Sequence, residues 1–369
     1  MQKLTIGVLF GGRSGEHEVS LVSATSVIEK LDKEKYNVVM IGISKEGHFI
    51  SGENAMKRLK NNDKISESEV MISADPLDFG LIDLKNQKRI KIDCFFPVLH
   101  GTYGEDGTMQ GLLDLSGVAY VGAGIIGSSC GMDKVVMKRL FREAGLKIVK
   151  DLYTTKREID LDKQSFVEKV EAEIGYPNFI KPANMGSSVG INKAHNKKEL
   201  EKFIDEALMY DNKILVEQGV EKPHEIECAV LGNDDLKASV LGEVFPNEEF
   251  YSYVAKYVSE SKTEAPAKLP ENIAEEIKKQ AMDGFKAVDC KGLARVDFLI
   301  SQDLSEIYIN EINTLPGFTS ISMYPKLWEK TGLSYTKLLD ELIKLAIDRN
   351  NEKKSLKTSF EEAGTWHKK

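Results

Sequence analysis

Ala-Arg-Val-Asp-Phe-Leu-Ile-Ser-Gln-Asp-Leu-Ser-Glu-Ile-Tyr-Ile-Asn-Glu-Ile-Asn-Thr-Leu-Pro-Gly, residues 294 to 317, is the stretch around which the chain is organised. Two apolar-rich runs flank the polar segment 301–305, which is the pattern of a β-hairpin. Side chains alternate faces along a strand. Arg295, Asp297 and Leu299 therefore share one face of the first run, and Ile309, Glu311 and Asn313 share one face of the second. A register that sets Asp297 opposite Glu311 also sets Arg295 opposite Asn313. One end of one face then carries a cation, two carboxylates and a carboxamide within reach of a single ion. Its metal-ligating atoms are all oxygens, which suits magnesium held jointly with phosphates. A solvated sheet face laced with ion pairs is the other reading of the same four residues.

Working outward, 369 residues exceed one compact core of ordinary size, so two or three domains are expected. A hydrophobic share of 41% with 29% charged residues is that of a soluble globular protein. The formal net charge of −8 argues against nucleic acid or an anionic membrane as the main partner. No apolar run reaches the length of a membrane span, and the first residues lack a secretory pattern, so a cytoplasmic location is expected. Cys94, Cys130, Cys228 and Cys290 lie far apart and read as reduced thiols. The histidines are equally scattered, none at metal-ligand spacing.

At the N-terminus Leu-Thr-Ile-Gly-Val-Leu-Phe, residues 4 to 10, reads as a buried parallel strand. Gly11-Gly12-Arg13-Ser14-Gly15-Glu16 follows, then a helical stretch, so that loop amides gather at a helix N-terminus. The glycines miss the dinucleotide fingerprint. On the loop alone plain turn chemistry is favoured over a ligand site, and Glu16 is the residue that could change that balance, because a carboxylate beside a glycine-rich turn can receive an ammonium. Residues 51–91 read as polar and irregular. The strand 92–99 ends in His-Gly-Thr-Tyr-Gly-Glu-Asp-Gly-Thr, a polar cluster where open α/β sheets bind ligands.

Asp133 reads as the cap of a helix that stops at Gly145. A strand over 148–154, a helix over 164–174 and strands over 178–182 and 213–217 suggest an α+β unit. Within it, Gly186-Ser187-Ser188-Val189-Gly190 offers amides and hydroxyls on a permissive loop, chemistry suited to covering phosphates. The same five residues match the nucleophile elbow of hydrolases, with Ser188 as nucleophile, but that reading needs a helix after the motif, and 191–194 read as extended. A structural hairpin tip is the third reading.

Strands over 225–231 and 237–244 open the last section, and 245–267 form a long tyrosine-rich segment of the kind that closes over ligands. A helix over 271–288 precedes the opening hairpin. Helices over 324–330 and 334–349 end the domain, and the charged tail from Asn350 is expected to be mobile.

Together these segments resemble the D-alanine:D-alanine ligases, members of the ATP-grasp superfamily. The matching stretches are Phe-Gly-Gly-Arg-Ser-Gly-Glu-His-Glu-Val-Ser from Phe10, Leu-His-Gly-Thr-Tyr-Gly-Glu-Asp-Gly-Thr from Leu99 and Met-Asp-Lys from Met132. Lys-Pro-Ala-Asn-Met-Gly-Ser-Ser-Val-Gly from Lys181, Phe-Tyr-Ser-Tyr-Val-Ala-Lys-Tyr from Phe250 and Asn-Glu-Ile-Asn-Thr-Leu-Pro-Gly-Phe-Thr-Ser from Asn310 complete the set. The resemblance implies an α/β fold, α+β in its central part, with three domains. These are a Rossmann-like domain with a parallel sheet (1–123), a central ATP-grasp domain (124–217) and a C-terminal ATP-grasp domain (218–350) with a lid loop at 245–267, before a tail at 351–369. ATP would lie between the second and third. In such enzymes ATP phosphorylates one D-alanine, and the amine of a second attacks the acyl phosphate, giving D-alanyl-D-alanine for peptidoglycan.

Carried over by position, Asp297, Glu311 and Asn313 resemble the ligands of two magnesium ions, with manganese as a substitute, and Arg295 the group that stabilises the acyl phosphate. Lys134, Lys181, Ser187, Ser188 and the lid residue Lys256 would bind ATP phosphates. Glu217, Gln218 and Val220 would border adenine and Glu225 the ribose, with Gln218 standing where some relatives carry lysine. Glu16 would receive the first D-alanine ammonium, joined by Ser187 and Tyr257, and His100 would lie beside it. Gly317 and Ser322 would bind the second carboxylate. Tyr257, and Met323 where D-lactate- and D-serine-type ligases have arginine, favour D-alanine as acceptor. A homodimer is implied by the family alone. A non-catalytic nucleotide-binding module is the remaining alternative, against which the complete set Arg295, Asp297, Glu311 and Asn313 argues.

Overall fold

The computed structural model describes residues 2–61, 69–245 and 262–357. The apolar run at the N-terminus becomes β1 (Leu4–Gly11), whose last six residues are all buried. It lies at the centre of a five-stranded sheet, parallel to β2 (Tyr36–Ile43) on one side and β7 (Cys94–Leu99) on the other. Because the chain leaves β1 in one direction and reaches β7 on the opposite flank, the loops after Gly11 and Leu99 open onto a common crevice. Helix α1 (His17–Lys30) starts in that crevice. β3 (Phe49–Ser51) and β8 (Ala119–Tyr120) form the sheet's edges.

The described residues of 51–91, a span expected to be irregular, are largely structured. α2 (Ala55–Asn61) is followed by an antiparallel sheet of β4 (Val70–Ile72), β5 (Gly80–Asp83) and β6 (Lys88–Lys91). Its short strands each carry too few alternations to stand out in the sequence. Helix α3 (Thr108–Leu115) then leads into β8.

Helices α4 (Ile125–Met132) and α5 (Lys134–Glu143) follow, the second capped by Asp133, whose carboxylate accepts from the amides of Val135 and Val136. Met137 and Phe141 of α5 pack into the core of the C-terminal sheet. The block expected from 124 onward thus gives its first two helices to the core of the block that follows it. The central sheet consists of β9 (Asp151–Thr155), β10 (Asn178–Pro182), β11 (Asn192–Ala194) and β12 (Lys213–Gln218) in the order β11-β10-β12-β9. With α6 (Lys156–Glu173) and α7 (Lys197–Ala207) it encloses a separate core built around Val167, Ile180, Leu200 and Val216. β9 starts later than the expected 148. The Thr155–Glu158 capping box ends it and opens a first helical segment at Lys156, and a kink at Asp162, whose dihedrals are not helical and whose carboxylate accepts from the Ser165 amide, begins the second segment close to the expected 164.

The C-terminal sheet comprises β13 (His224–Gly232), β14 (Lys237–Phe245), β15 (Lys262–Glu264), β16 (Gly292–Ile300) and β17 (Ile307–Asn313), in the order β15-β14-β13-β16-β17. Helix α8 (Glu271–Ala287) covers its inner face. α9 (Met323–Lys330) and α10 (Tyr335–Ser355) lie between this sheet and the N-terminal one, so Leu327, Trp328 and Leu342 share one core with Val8, Phe96 and Leu293. α10 continues past Asn350 to Ser355. The start of the tail expected to be mobile is therefore helical and tied down, with Lys353 paired to Asp114 at 2.8 Å. Among the described residues no helix is long and apolar enough to cross a membrane.

In the hairpin β16–β17, Asp297 faces Glu311 and Arg295 faces Asn313, so the condition on which the sequence reading rested is met. Ile309, expected on the face of Glu311 and Asn313, lies on the other. A bulge between Asp297 and Phe298 places Ile309 opposite Phe298, and both are buried in the core, so Ile309 does not share a face with Glu311 and Asn313. Asn310 is the extra residue that the bulge accommodates.

Candidate active site

A cavity of about 790 Å³ opens where the N-terminal five-stranded sheet, the central sheet and the C-terminal sheet meet. The N-terminal block contributes Glu16 and His100 to its wall, α5 contributes Lys134, and the loop after β10 contributes Ser187 and Ser188. The C-terminal block contributes Arg295, Glu311, Asn313, Gly317, Ser322 and Met323. Asp297 lies behind Arg295, and Lys181, Glu217, Gln218, Val220 and Glu225 lie outside that wall. Lys256 and Tyr257 lie outside the described residues.

The Glu16 carboxylate is held in a narrow slot. Ser187 Oγ donates to its Oε1. A Cβ on Gly101 would sit 2.7 Å from Oε2 and one on Gly186 3.0 Å from it, so a side chain at either position would push the Glu16 carboxylate out of this slot. Ser187 and Ser188 both adopt left-handed φ values, 48° and 60°, which fold the loop back onto the crevice. The loop joins antiparallel β10 and β11 with no helix after Gly190. That removes the strand–turn–helix context a serine nucleophile elbow requires.

His100 is buried, its Nδ1 3.2 Å from the Leu315 carbonyl and 3.6 Å from Glu105, its Nε2 3.3 Å from Ser23 Oγ. Burial acts to lower the imidazole's proton affinity, but Glu105 and the nearby Glu16 outweigh it, so His100 holds its proton above the usual range. Lys134 donates to the Met185 carbonyl at 2.7 Å and so faces the loop that carries Ser187.

Beneath the cavity floor, Lys181 lies 2.5 Å from Glu217, whose other oxygen is 2.9 Å from Lys138. Glu217 and Lys138 are buried, and the Lys181 side chain is nearly so. Burial alone would raise the Glu217 pKa, yet Lys138 and Lys181 hold it down at about 2. Gln218 is exposed to solvent, and its backbone amide donates to the Lys150 carbonyl. Val220 and Glu225 are half-buried on either side of the turn into β13.

On the sheet face above, strand pairing sets Glu227, Asp297 and Glu311 in a row across β13, β16 and β17. Arg295 binds both Asp297 oxygens at 2.7 Å and lies 3.4 Å from Glu227. Among the described residues no three His, Cys, Asp or Glu side chains are drawn into a metal cage, because Arg295 occupies the carboxylate between the other two. The donors are nonetheless all oxygens, with more carboxylates than guanidinium charge to balance them. They fit a hard dication that brings phosphate oxygens with it. Gly317 and Ser322 close the far wall: Ser322 Oγ accepts from the Thr319 amide at 3.0 Å, and a Cβ on Gly317 would meet it at 2.7 Å. The Met323 side chain is 8% exposed and packs against Gly242.

Sequence reasoning missed Glu105, Glu227 and Lys138. Glu105 lay inside the glycine-rich stretch after β7, Glu227 two residues beyond Glu225 on one strand face, and Lys138 one helical turn after Lys134. Each signal was present but indistinct from ordinary charged positions.

This architecture, a Rossmann-like sheet followed by two α+β blocks that clamp a cavity with charged side chains from all three parts, is that of an ATP-grasp ligase. Family models for the D-ala D-ala ligase N-terminus and C-terminus match residues 5–123 and 140–344, and the chain belongs to the D-ala D-ala ligase family. It is 50% identical to the D-alanine--D-alanine ligase of Natranaerobius thermophilus over 98% of this chain and 100% of the relative. It is 47% identical to that of Acetivibrio thermocellus, over 95% and 97%. Among solved structures, the D-alanine-D-alanine ligase from Coxiella burnetii superposes with a TM-score of 0.82 at 35% identity, covering 95% of this chain and 97% of that one. The VanG D-Ala:D-Ser ligase from Enterococcus faecalis superposes with a TM-score of 0.84 at 36% identity, covering 94% and 100%.

Proposed function

We propose that this chain joins two D-alanine molecules to D-alanyl-D-alanine, driven by ATP through an acyl phosphate, as a step in peptidoglycan synthesis. The observation that carries this reading is the convergence on one cavity of the slotted carboxylate Glu16, the lysine Lys134 and the hairpin face of Arg295, Glu311 and Asn313. A carboxylate is a poor electrophile, and phosphorylation gives it a leaving group. A carboxylate oxygen of the first D-alanine attacks the terminal phosphorus of ATP, and ADP leaves. The amine of the second attacks the acyl carbon, the bond to phosphate breaks, and the amine loses a proton.

Catalysis is then mainly positioning and neutralisation of negative charge. Glu16, with Ser187 and Tyr257, orients the first ammonium, and His100 lies beside it. Gly317 and Ser322 receive the second carboxylate. Arg295 turns from Asp297 to the acyl phosphate, which frees Asp297 to join Glu311 and Asn313 as metal ligands. Magnesium, two ions with manganese as a substitute, neutralises phosphate charge when bound. Lys134, Lys181, Ser187, Ser188 and Lys256 bind the phosphates of ATP. Glu217, Gln218, Val220 and Glu225 border its base and sugar. Met323, apolar and packed on Gly242, offers the second substrate no hydrogen bond, which supports D-alanine over D-serine. The working form is a cytoplasmic homodimer in this reading.

The test is phosphate release from ATP by the purified protein. Release requires both D-alanine and magnesium, and the product mass is that of D-alanyl-D-alanine. With D-serine and D-lactate as competing acceptors, D-alanine is used preferentially. Phosphate release that ignores D-alanine would sink the reading.

A further inference from the structure

Lys134 and Lys138 lie four residues apart on α5 and so project from one face of the helix. They serve different places. Lys134 faces the cavity, whereas Lys138, its side chain 1% exposed, ends below the floor and lines no part of it. There its ammonium lies 2.9 Å from Glu217 Oε1 and donates to the Asn310 carbonyl at 3.3 Å. The first partner belongs to β12 of the central sheet, the second to the bulge of β17 beside Glu311. Glu217 Oε2 is the oxygen that holds Lys181.

We propose that Lys138 is a positioning residue for nucleotide binding: by holding Glu217, it lets Lys181 turn its ammonium to a nucleotide phosphate without stranding a buried carboxylate. The inference rests on the reading of Lys181 as a phosphate-binding residue. Glu217 is 2% exposed, and a buried carboxylate deprived of its last cation is strongly disfavoured. With Lys181 as its only partner, Glu217 would compete with the nucleotide for that lysine. With Lys138 in place the competition is relieved, because one cation remains wherever Lys181 points. The two lysines thus divide one carboxylate between a fixed partner and an exchangeable one. The contact with Asn310 fixes Lys138 from the opposite side, so that it cannot follow Lys181 toward the cavity.

The experiment compares the wild type, Lys138→Met and Lys138→Gln, the second of which removes the charge but keeps a donor for the Asn310 carbonyl. ADP affinity is measured by calorimetry without D-alanine, alongside steady-state kinetics and melting temperature. Both variants are expected to weaken ADP and raise the KM for ATP by about tenfold or more, with kcat and the KM for D-alanine within about threefold of wild type. A merely structural lysine would lower the melting temperature and leave the ADP affinity of the folded protein unchanged, which overturns the proposal. If Lys138→Met does not fold, Lys138→Gln decides: a loss of ADP affinity of about tenfold or more supports the proposal, and near-wild-type affinity overturns it. Wild-type protein that binds ADP but releases no phosphate with D-alanine would refute the ligase reading and leave this test standing.

Discussion

At the scale of single residues, the Glu16 slot makes the sharpest demand. Gly186 has no left-handed backbone, so a methyl group there meets Glu16 without adding conformational strain. Gly186→Ala should reduce kcat/KM for D-alanine on the order of tenfold to a hundredfold while the melting temperature stays near wild type. Gly101→Ala crowds the same oxygen at φ +72° and should also lose about 1 kcal/mol of stability, measurable by urea denaturation. Equal melting temperatures with unchanged kinetics for Gly186→Ala would mean that the slot relaxes. Glu217 gives a pH prediction. Its pKa falls from 4.5 to about 2 on folding. A depressed carboxylate stabilises the fold above its unfolded pKa, and that contribution, about 3 kcal/mol, is lost as pH falls from about 4.5 to about 2. Glu217→Gln starts less stable, because it leaves two lysines without their carboxylate, but should show a flatter dependence of unfolding free energy over that window. That Arg295 and Asp297 share a face, and Glu311 and Asn313 share one, was readable from alternation, since a period of two fixes which side chains of a strand point the same way. The register that sets Asp297 opposite Glu311 was a condition, which the strand pairing meets. The place of Ile309 was not readable, because nothing in the residue types of 307–313 announces a bulge. Lys138 looked like any charged position of an amphipathic helix, and only packing shows that it is buried.

At the scale of elements, α5 delivers two lysines to the nucleotide side of the site, so its N-terminus controls their placement. Asp133 caps the helix through two backbone amides and also pairs with Lys213 of β12. Asp133→Ala should cost on the order of 1 to 2 kcal/mol in stability. It should also raise the KM for ATP more than the KM for D-alanine, as read from melting curves and steady-state kinetics. Asp133→Asn, which keeps an N-cap acceptor, should recover most of the stability but not the ion pair. An Asp133→Ala protein with unaltered KM for ATP would show that Lys134 and Lys138 are held by their own contacts. This cap was legible beforehand, since aspartate ahead of an apolar period and glycine at its end are local signals. The end of α10 was not. Residues 350–355 carry too few apolar side chains to mark a helix, and the turn is kept by contacts with a distant part of the chain, Lys353 with Asp114 and Asn350 with the Gly117 carbonyl.

At the scale of the whole molecule, the cores are not distributed as the domains are. The N-terminal and C-terminal sheets share one apolar core through α9 and α10, and Phe318 lies edge-on to Phe96, 6.0 Å between ring centres. Tyr36 and Lys35 reach Asp340 across the same interface. The central sheet keeps its own smaller core, joined to the rest mainly through α5, where Val135 meets Ala183 and Leu215. A smaller core buries less apolar surface and opens at lower free energy. Hydrogen exchange should therefore find the amides of β10 and β12 opening before those of β1 and β16, which should open together. A nucleotide bound between the central and C-terminal blocks adds its binding free energy to the weaker unit. At about a hundredfold excess of ADP over its Kd, with magnesium present, protection in β10 and β12 should rise by about 2.7 kcal/mol, up to the level of the shared core. Exchange that is uniform across all three sheets without ligand, or protection gained by ADP in β1 and not in β10, would contradict this division. The division also bears on turnover: the block that opens most readily carries Lys181, Ser187 and Ser188, so release of ADP can proceed by its movement while the shared core, with Glu16 at one side and Arg295 at the other, keeps the floor of the site in place.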